Sequence, residues 1–176
     1  LAEADIAIDG VILLPAFGDA GRITVGGIHY AGNDTDGFVP VGETEFARDA
    51  TFGYKSSDLR EWVEEKTGGA ITAADVAVVD LTTLRSDPEK TAEILDGLSG
   101  SQPAVADIVE EADIRALALA LLAAQKKGKR FVYRVGPPFV RAMIGQPIVE
   151  PLSAEDVSSI RSEESVNGGL IVVGSH

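Results

Sequence analysis

Two arginines and one histidine stand out in this 176-residue sequence as groups able to hold a small anion. Arg22, in RITV, and Arg134, in FVYRV, each present a planar guanidinium fork that takes a carboxylate through two parallel hydrogen bonds. His29, in GGIHY, adds an imidazole whose charge is set by its surroundings. Either arginine alone is equally a surface or structural residue, and His29 beside Tyr30 is equally a tethered core histidine. The case for chemistry rests on shared location at the mouth of one sheet. Glu43, Glu45 and Asp49 form a second candidate, for Mg²⁺, although a solvated acidic loop has the same composition. The basic run Lys126 to Arg130 (KKGKR) follows a helical stretch, where cations complement the negative helix end.

Several other chemistries are excluded by what is missing. No G-x-x-x-x-G-K-[ST] phosphate loop and no G-x-G-x-x-G dinucleotide fingerprint occurs. No G-x-S-x-G elbow points to a hydrolase, and His29 and His176 lack metal-ligand spacing. Cysteine is absent, so there is neither a disulfide framework nor a thiolate metal site, which fits a reducing compartment. Fifteen basic against twenty-eight acidic residues give a net charge of -13. That field repels nucleic acid and anionic membranes, so an anionic ligand must be held by a few convergent cations. No apolar run reaches the roughly eighteen residues of a membrane span. The chain reads as soluble and cytoplasmic.

The elements that must position these residues follow from periodicity. Gly10 to Leu14 (GVILL) reads as a buried strand. RITVGGIHYAGNDTDGFVPVG reads as a hairpin turning at AGNDTDG, and ETEFARDATFGYKSS as a long, aperiodic loop of the kind that is often functional. Ser57 or Asp58 caps a helix whose stripe is Leu59, Trp62, Val63 and Lys66, stopped at Gly68-Gly69. A strand over 76–81, a helix from Asp87-Pro88 to Gly97, a strand over 104–108 and a helix over 110–127 come next. A strand over 130–135, a helix over 139–144 and a last strand over 170–173 complete the pattern. The long helix, with Leu119 beside Leu117, Ala118 and Leu121, is apolar almost all round. It should be deeply buried or packed against another chain, so a homo-oligomer is one expectation. The glycine pairs at 26–27, 68–69 and 168–169 read as turns. The whole is an α/β fold, a mainly parallel sheet flanked by helices, with a β-hairpin insertion after the first strand. In such sheets ligands sit beyond the carboxyl ends of the strands, where Phe17, Asp19, Arg22, Asp107, Arg134, Ser175 and His176 fall.

Long strings narrow this further. AGRITVGGIHY and TEFARDATFGYKSSDLREW, followed by EEADIRALALALLAAQKKGKRFVYRVGPPFVRAMIG and GGLIVVGSH, closely resemble the four-carbon acid sugar kinase family. Some of its members carry the older label of type III effector Hrp-dependent outer proteins. The resemblance implies ATP-dependent phosphorylation of four-carbon sugar acids such as erythronate, threonate or 3-oxo-tetronate. It also implies that residues 1–176 are the later part of an N-terminal sugar-acid domain, with ATP and Mg²⁺ held by a separate nucleotide-binding domain of the full-length parent. No cofactor is then expected in this chain itself. Two acidic motifs of the family would lie upstream of Leu1, and both ends of the sequence read as cut. Pro138 departs from the family's usual serine, which removes a hydroxyl contact there. On this reading Arg22, His29 and Arg134 hold the anionic acid and catalytic machinery lies elsewhere. The alternative is a sugar-acid binding or interaction module without chemistry.

Overall fold

The computed structural model describes residues 6–160 and Val172. In chain order, strand β1 (Gly10–Leu14) is followed by three short strands, β2 (Arg22–Val25), β3 (Ile28–Asn33) and β4 (Gly37–Pro40). Then come helix α1 (Leu59–Lys66), strand β5 (Ala77–Val79), and helices α2 (Leu81–Ser86) and α3 (Pro88–Gly97). Strand β6 (Gln102–Ala106), helix α4 (Glu111–Lys126), strand β7 (Phe131–Val135), and helices α5 (Pro137–Met143) and α6 (Ala154–Ser159) complete the described chain.

The strands form two sheets. One is parallel, in the order β5-β6-β1-β7, and the other antiparallel, in the order β2-β3-β4. The α/β reading therefore holds. The insertion after β1 is more than one hairpin, because Gly26-Gly27 makes a further tight turn ahead of the one at residues 34–36. Both glycines have positive φ, +62° and +78°, which a residue with a Cβ adopts only at a cost.

Alternation along β1 divides the core. Ile12 and Leu14 point to the face covered by α2 to α5, where they meet Leu95, Leu117, Leu121 and Phe139. Val11 and Leu13 point to the other face, where α1 supplies Leu59, Trp62 and Val63. Each fully buried leucine contributes about 1.5–3 kcal/mol relative to exposure. Small Ala104 and Ala106 on β6 belong to the larger cluster, where short side chains let a helix approach the sheet.

Several boundaries differ from expectation for local reasons. The strand expected over 76–81 ends at Val79, because the Asp80 carboxylate accepts the Thr83 amide at 2.9 Å and so caps α2. Leu119 is 69% exposed, so α4 is buried on one side only. The glycine pair at 168–169 and the strand expected over 170–173 lie outside the described residues, apart from Val172, which is exposed and in no strand. Among the described residues no helix is long and apolar enough to cross a membrane.

Candidate functional site

The chain leaves β1 toward α1 on one face of the parallel sheet, and leaves β7 toward α5 on the other. The carboxyl ends of these two neighbouring strands are where a crevice is expected. A cleft of about 240 Å³ opens there, with Leu13 and Pro15 of the β1 end and Arg134 of β7 in its wall.

The antiparallel sheet supplies the opposite wall, and its placement follows from a few fixed hydrogen bonds. Thr24 exchanges both backbone bonds with Ile108, at 2.8 and 2.9 Å. The buried Asp107 carboxylate, at the end of β6, accepts the amides of Gly26 and Gly27 at 2.9 Å each and that of Leu81 at 3.1 Å. His29 donates its amide to the Ser57 carbonyl and Leu59 donates to Gly27, which ties the hairpin to the start of α1. At its other end, β2 is held to the chain after β1 by the mutual pairing of Arg22 with Phe17. Gly21 (φ +65°) must be glycine, because a Cβ there would lie 1.9 Å from the Gly32 carbonyl oxygen. Asp107, placed by the sequence among potential ligand contacts, is therefore occupied in joining the two sheets.

Arg22, His29 and Arg134 all line this one cleft. Arg22 opens β2 rather than sitting in the loop after β1, and its guanidinium carbon lies 4.7 Å from the centre of the Phe46 ring. Arg134 lies 4.6 Å from the centre of the Trp62 ring on α1. A cation over the face of an aromatic ring is attracted by the ring's quadrupole. Neither arginine is ion-paired with a carboxylate among the described residues. No Asp or Glu among the described residues lines the cleft.

His29 is buried, with Nδ1 3.0 Å from the Thr24 hydroxyl. Burial above all, and then the Arg22 charge, push its imidazole down to about 4, against a weaker opposing contribution from the Ile23 backbone. It is neutral at physiological pH and adds no charge to the site.

The loop over 44–57 closes the cleft with residues that the sequence did not single out for the site: Phe46, Phe52, Tyr54, Ser56 and Ser57. It is not a floppy connection. Asp49 accepts the amides of Thr51 and Phe52, Glu65 accepts that of Lys55, and the Lys66 ammonium donates to the Gly53 carbonyl. Ser56 donates to Glu61, whereas the Ser57 oxygen accepts the Gly42 amide at 2.8 Å and keeps its proton to offer. Burial raises the Tyr54 phenol, with Arg22 opposing, so it stays protonated and able to donate. The signal available in the sequence was aromatic residues within a polar, aperiodic loop.

Glu43, Glu45 and Asp49 are the acidic candidates for a divalent cation. Asp49 is turned to its own loop amides, and Glu43, Glu45 and Asp49 form no ligating group among the described residues. Pro138 is buried in α5, so the position where the resembled family carries serine packs into the protein here.

Solved structures share this fold. One, a Haemophilus influenzae protein assigned to a domain of unknown function, aligns with a TM-score of 0.52 at 18% identity, over 77% of this chain and 30% of that one. A second, with the same domain, comes from Bordetella bronchiseptica and is a domain-swapped dimer with bound citrate. It aligns with a TM-score of 0.51 at 24% identity, over 78% of this chain and 28% of that one. A third, from Salmonella typhimurium LT2, gives a TM-score of 0.55 at 17% identity, over 82% of this chain and 32% of that one. The chain thus spans about a third or less of the length of these proteins. No curated protein matches it. Residues 1–143 match the family model for the sugar-binding N-terminal domain, and the chain belongs to that family.

Proposed function

We propose that the cleft binds a small anionic sugar acid, and that the chain is the acid-binding part of an ATP-dependent kinase for four-carbon acids of the erythronate, threonate or 3-oxo-tetronate type. One observation carries the reading. Two guanidiniums without carboxylate partners line one cleft that has no acidic residue among the described residues, in a chain of net charge -13. Anion recognition is what such a local reversal of charge serves. The family's sugar-binding description and the citrate bound by the Bordetella bronchiseptica neighbour support the ligand class. Nucleotide and Mg²⁺ belong, on this reading, to a separate domain of the parent protein. Self-association is part of the proposal, supported by that neighbour's domain-swapped dimer.

The chain's own residues have distinct tasks. Arg22 and Arg134 bind carboxylate oxygens, with Phe46 and Trp62 holding the two guanidiniums in orientation. Ser57 and Tyr54 donate to the ligand's hydroxyl or carboxyl oxygens, and the neutral His29 braces Thr24 behind them. Calorimetry of the 176-residue chain with erythronate should show binding that the R22A/R134A double variant lacks, while ATP produces no heat of binding. Erythronate binding that survives in the double variant contradicts the site, and micromolar ATP affinity contradicts the division of labour. In the full-length parent, ATP consumption should depend on the acid. Acid binding without ATP consumption would leave a binding module in place of a kinase.

A further inference from the structure

We infer that this cleft takes up its acid together with a proton from solvent, that the proton goes to His29, and that binding therefore tightens as the solution is acidified from neutrality. The inference rests on the proposed acid-binding role of the cleft and adds to it a proton that travels with the ligand.

The surroundings of His29 disfavour an imidazolium. The side chain is 6% exposed and lines the cleft with two permanent cations, Arg22 on β2 and Arg134 on β7. No Asp or Glu among the described residues lines the cleft to offset them. The acids on elements around β3 stand outside its wall. Asp107, at the end of β6, accepts the Gly26, Gly27 and Leu81 amides. At the start of α1, Asp58 pairs with Arg60 and Glu61 accepts the Ser56 hydroxyl. Glu43 belongs to the short turn Val41–Glu43 that packs on β3, and it is not a lining residue. Strand β4 carries no ionisable side chain. Of Glu45, Arg48, Asp49, Tyr54 and Lys55 in the 44–57 loop, only Tyr54 lines the cleft, and its phenol stays protonated.

A bound carboxylate changes one of these influences and spares the other. Burial first, and then the Arg22 charge, hold the imidazole down to about 4. Burial stays nearly as it is, because His29 has hardly any contact with water left for a ligand to remove. The charge reverses, since the acid neutralises Arg22 and brings a negative charge of its own. An opposite charge within about 4–6 Å favours the charged form of a group. A cleft of about 240 Å³ keeps a bound acid near the histidine in its wall. Thr24 can serve both states of the ring. Its fully buried hydroxyl lies 3.0 Å from Nδ1. By rotating, a hydroxyl donates to a bare ring nitrogen or accepts from a protonated one, so the pair survives the change.

The sequence has two histidines, so His176→Gln leaves the His29 imidazole alone to be followed by NMR as pH is lowered. With saturating erythronate its titration midpoint should rise by about one pH unit or more above the ligand-free value. Calorimetry near pH 5 in acetate and in MES, buffers that release different heats with each proton, counts the protons bound. About half a proton or more should be taken up with each erythronate there, and close to none near pH 7. Affinity should be about twofold or more higher near pH 5 than near pH 7. The acidic surface also loses charge over this range and strengthens anion binding by itself. That share persists in His29→Gln, whereas the proton uptake should vanish. A His29 midpoint that stays in place while erythronate saturates the chain overturns the inference and leaves acid binding standing. So does equal proton uptake by His29→Gln and the wild type, and the midpoint decides alone if His29→Gln does not fold. If the wild type binds no erythronate near pH 7 or pH 5, the acid-binding role itself fails.

Discussion

At the scale of single residues, the cleft keeps His29 uncharged beside two permanent cations. Enclosure at 6% exposure and the neighbouring Arg22 both work against the imidazolium, and the Thr24 hydroxyl occupies Nδ1. The folded value of about 4 lies below the ordinary 6.5, so the unfolded chain takes up the proton first as pH falls. His29 therefore contributes its full stability above pH 6.5, and the contribution drains away as pH drops through about 4, a loss of roughly 3 kcal/mol across the window. Chemical denaturation at pH 7, 6, 5 and 4.5 should show this slope in the wild type and a flatter one in His29→Gln, which keeps a hydrogen-bonding partner for Thr24. Parallel slopes would mean that His29 is not buried as described. Sequence position picked out Arg22 and Arg134 by the strand ends and His29 by the hairpin, and all three line one cleft. It did not find Phe46 or Trp62 as their ring platforms. Trp62 reads as one more member of the α1 stripe, and its cation–π contact joins residues far apart in the chain.

Among the elements, the small antiparallel sheet is decisive because it carries Arg22 and His29 into place. Its attachment concentrates on Asp107, a buried carboxylate that satisfies three backbone amides from two separate segments. Removing it strands Gly26, Gly27 and Leu81 N–H groups, each costing about 1–3 kcal/mol if left unpaired. Asp107→Ala should therefore lower unfolding free energy by about 3 kcal/mol or more in urea titration. Asp107→Asn, which keeps one acceptor oxygen, should lose less. An Asp107→Ala protein as stable as the wild type would show that the hairpin is held by its other contacts. The alternation of strands and helices made the α/β class legible, and the Asp87-Pro88 cap marked the start of α3 and Gly97 its end. The extra turn at Gly26-Gly27 was less legible, because two glycines in a β-prone run permit a turn without requiring one. Helix α2 was hidden as well. Thr82 and Thr83 are poor helix formers, and only the Asp80 side chain closing on Thr83 turns the chain there.

For the molecule as a whole, a strongly acidic chain folds so that an opening at the sheet's carboxyl edge is lined by cations, aromatic rings and hydroxyls, with no acid among the described residues there. The strand order that creates this opening, with β1 between β6 and β7, depends on contacts separated by about a hundred residues. Local periodicity carries no such information, which is why the class of fold could be read in advance and the shape of the cleft could not. The most direct measurement is a crystal structure of the 176-residue chain grown with saturating erythronate. The expected result is the ligand in the cleft, its carboxylate within hydrogen-bonding distance of Arg22 or Arg134. Erythronate bound elsewhere on the ordered chain, or both guanidiniums paired with the protein's own carboxylates, would contradict the assignment of this cleft as the acid site.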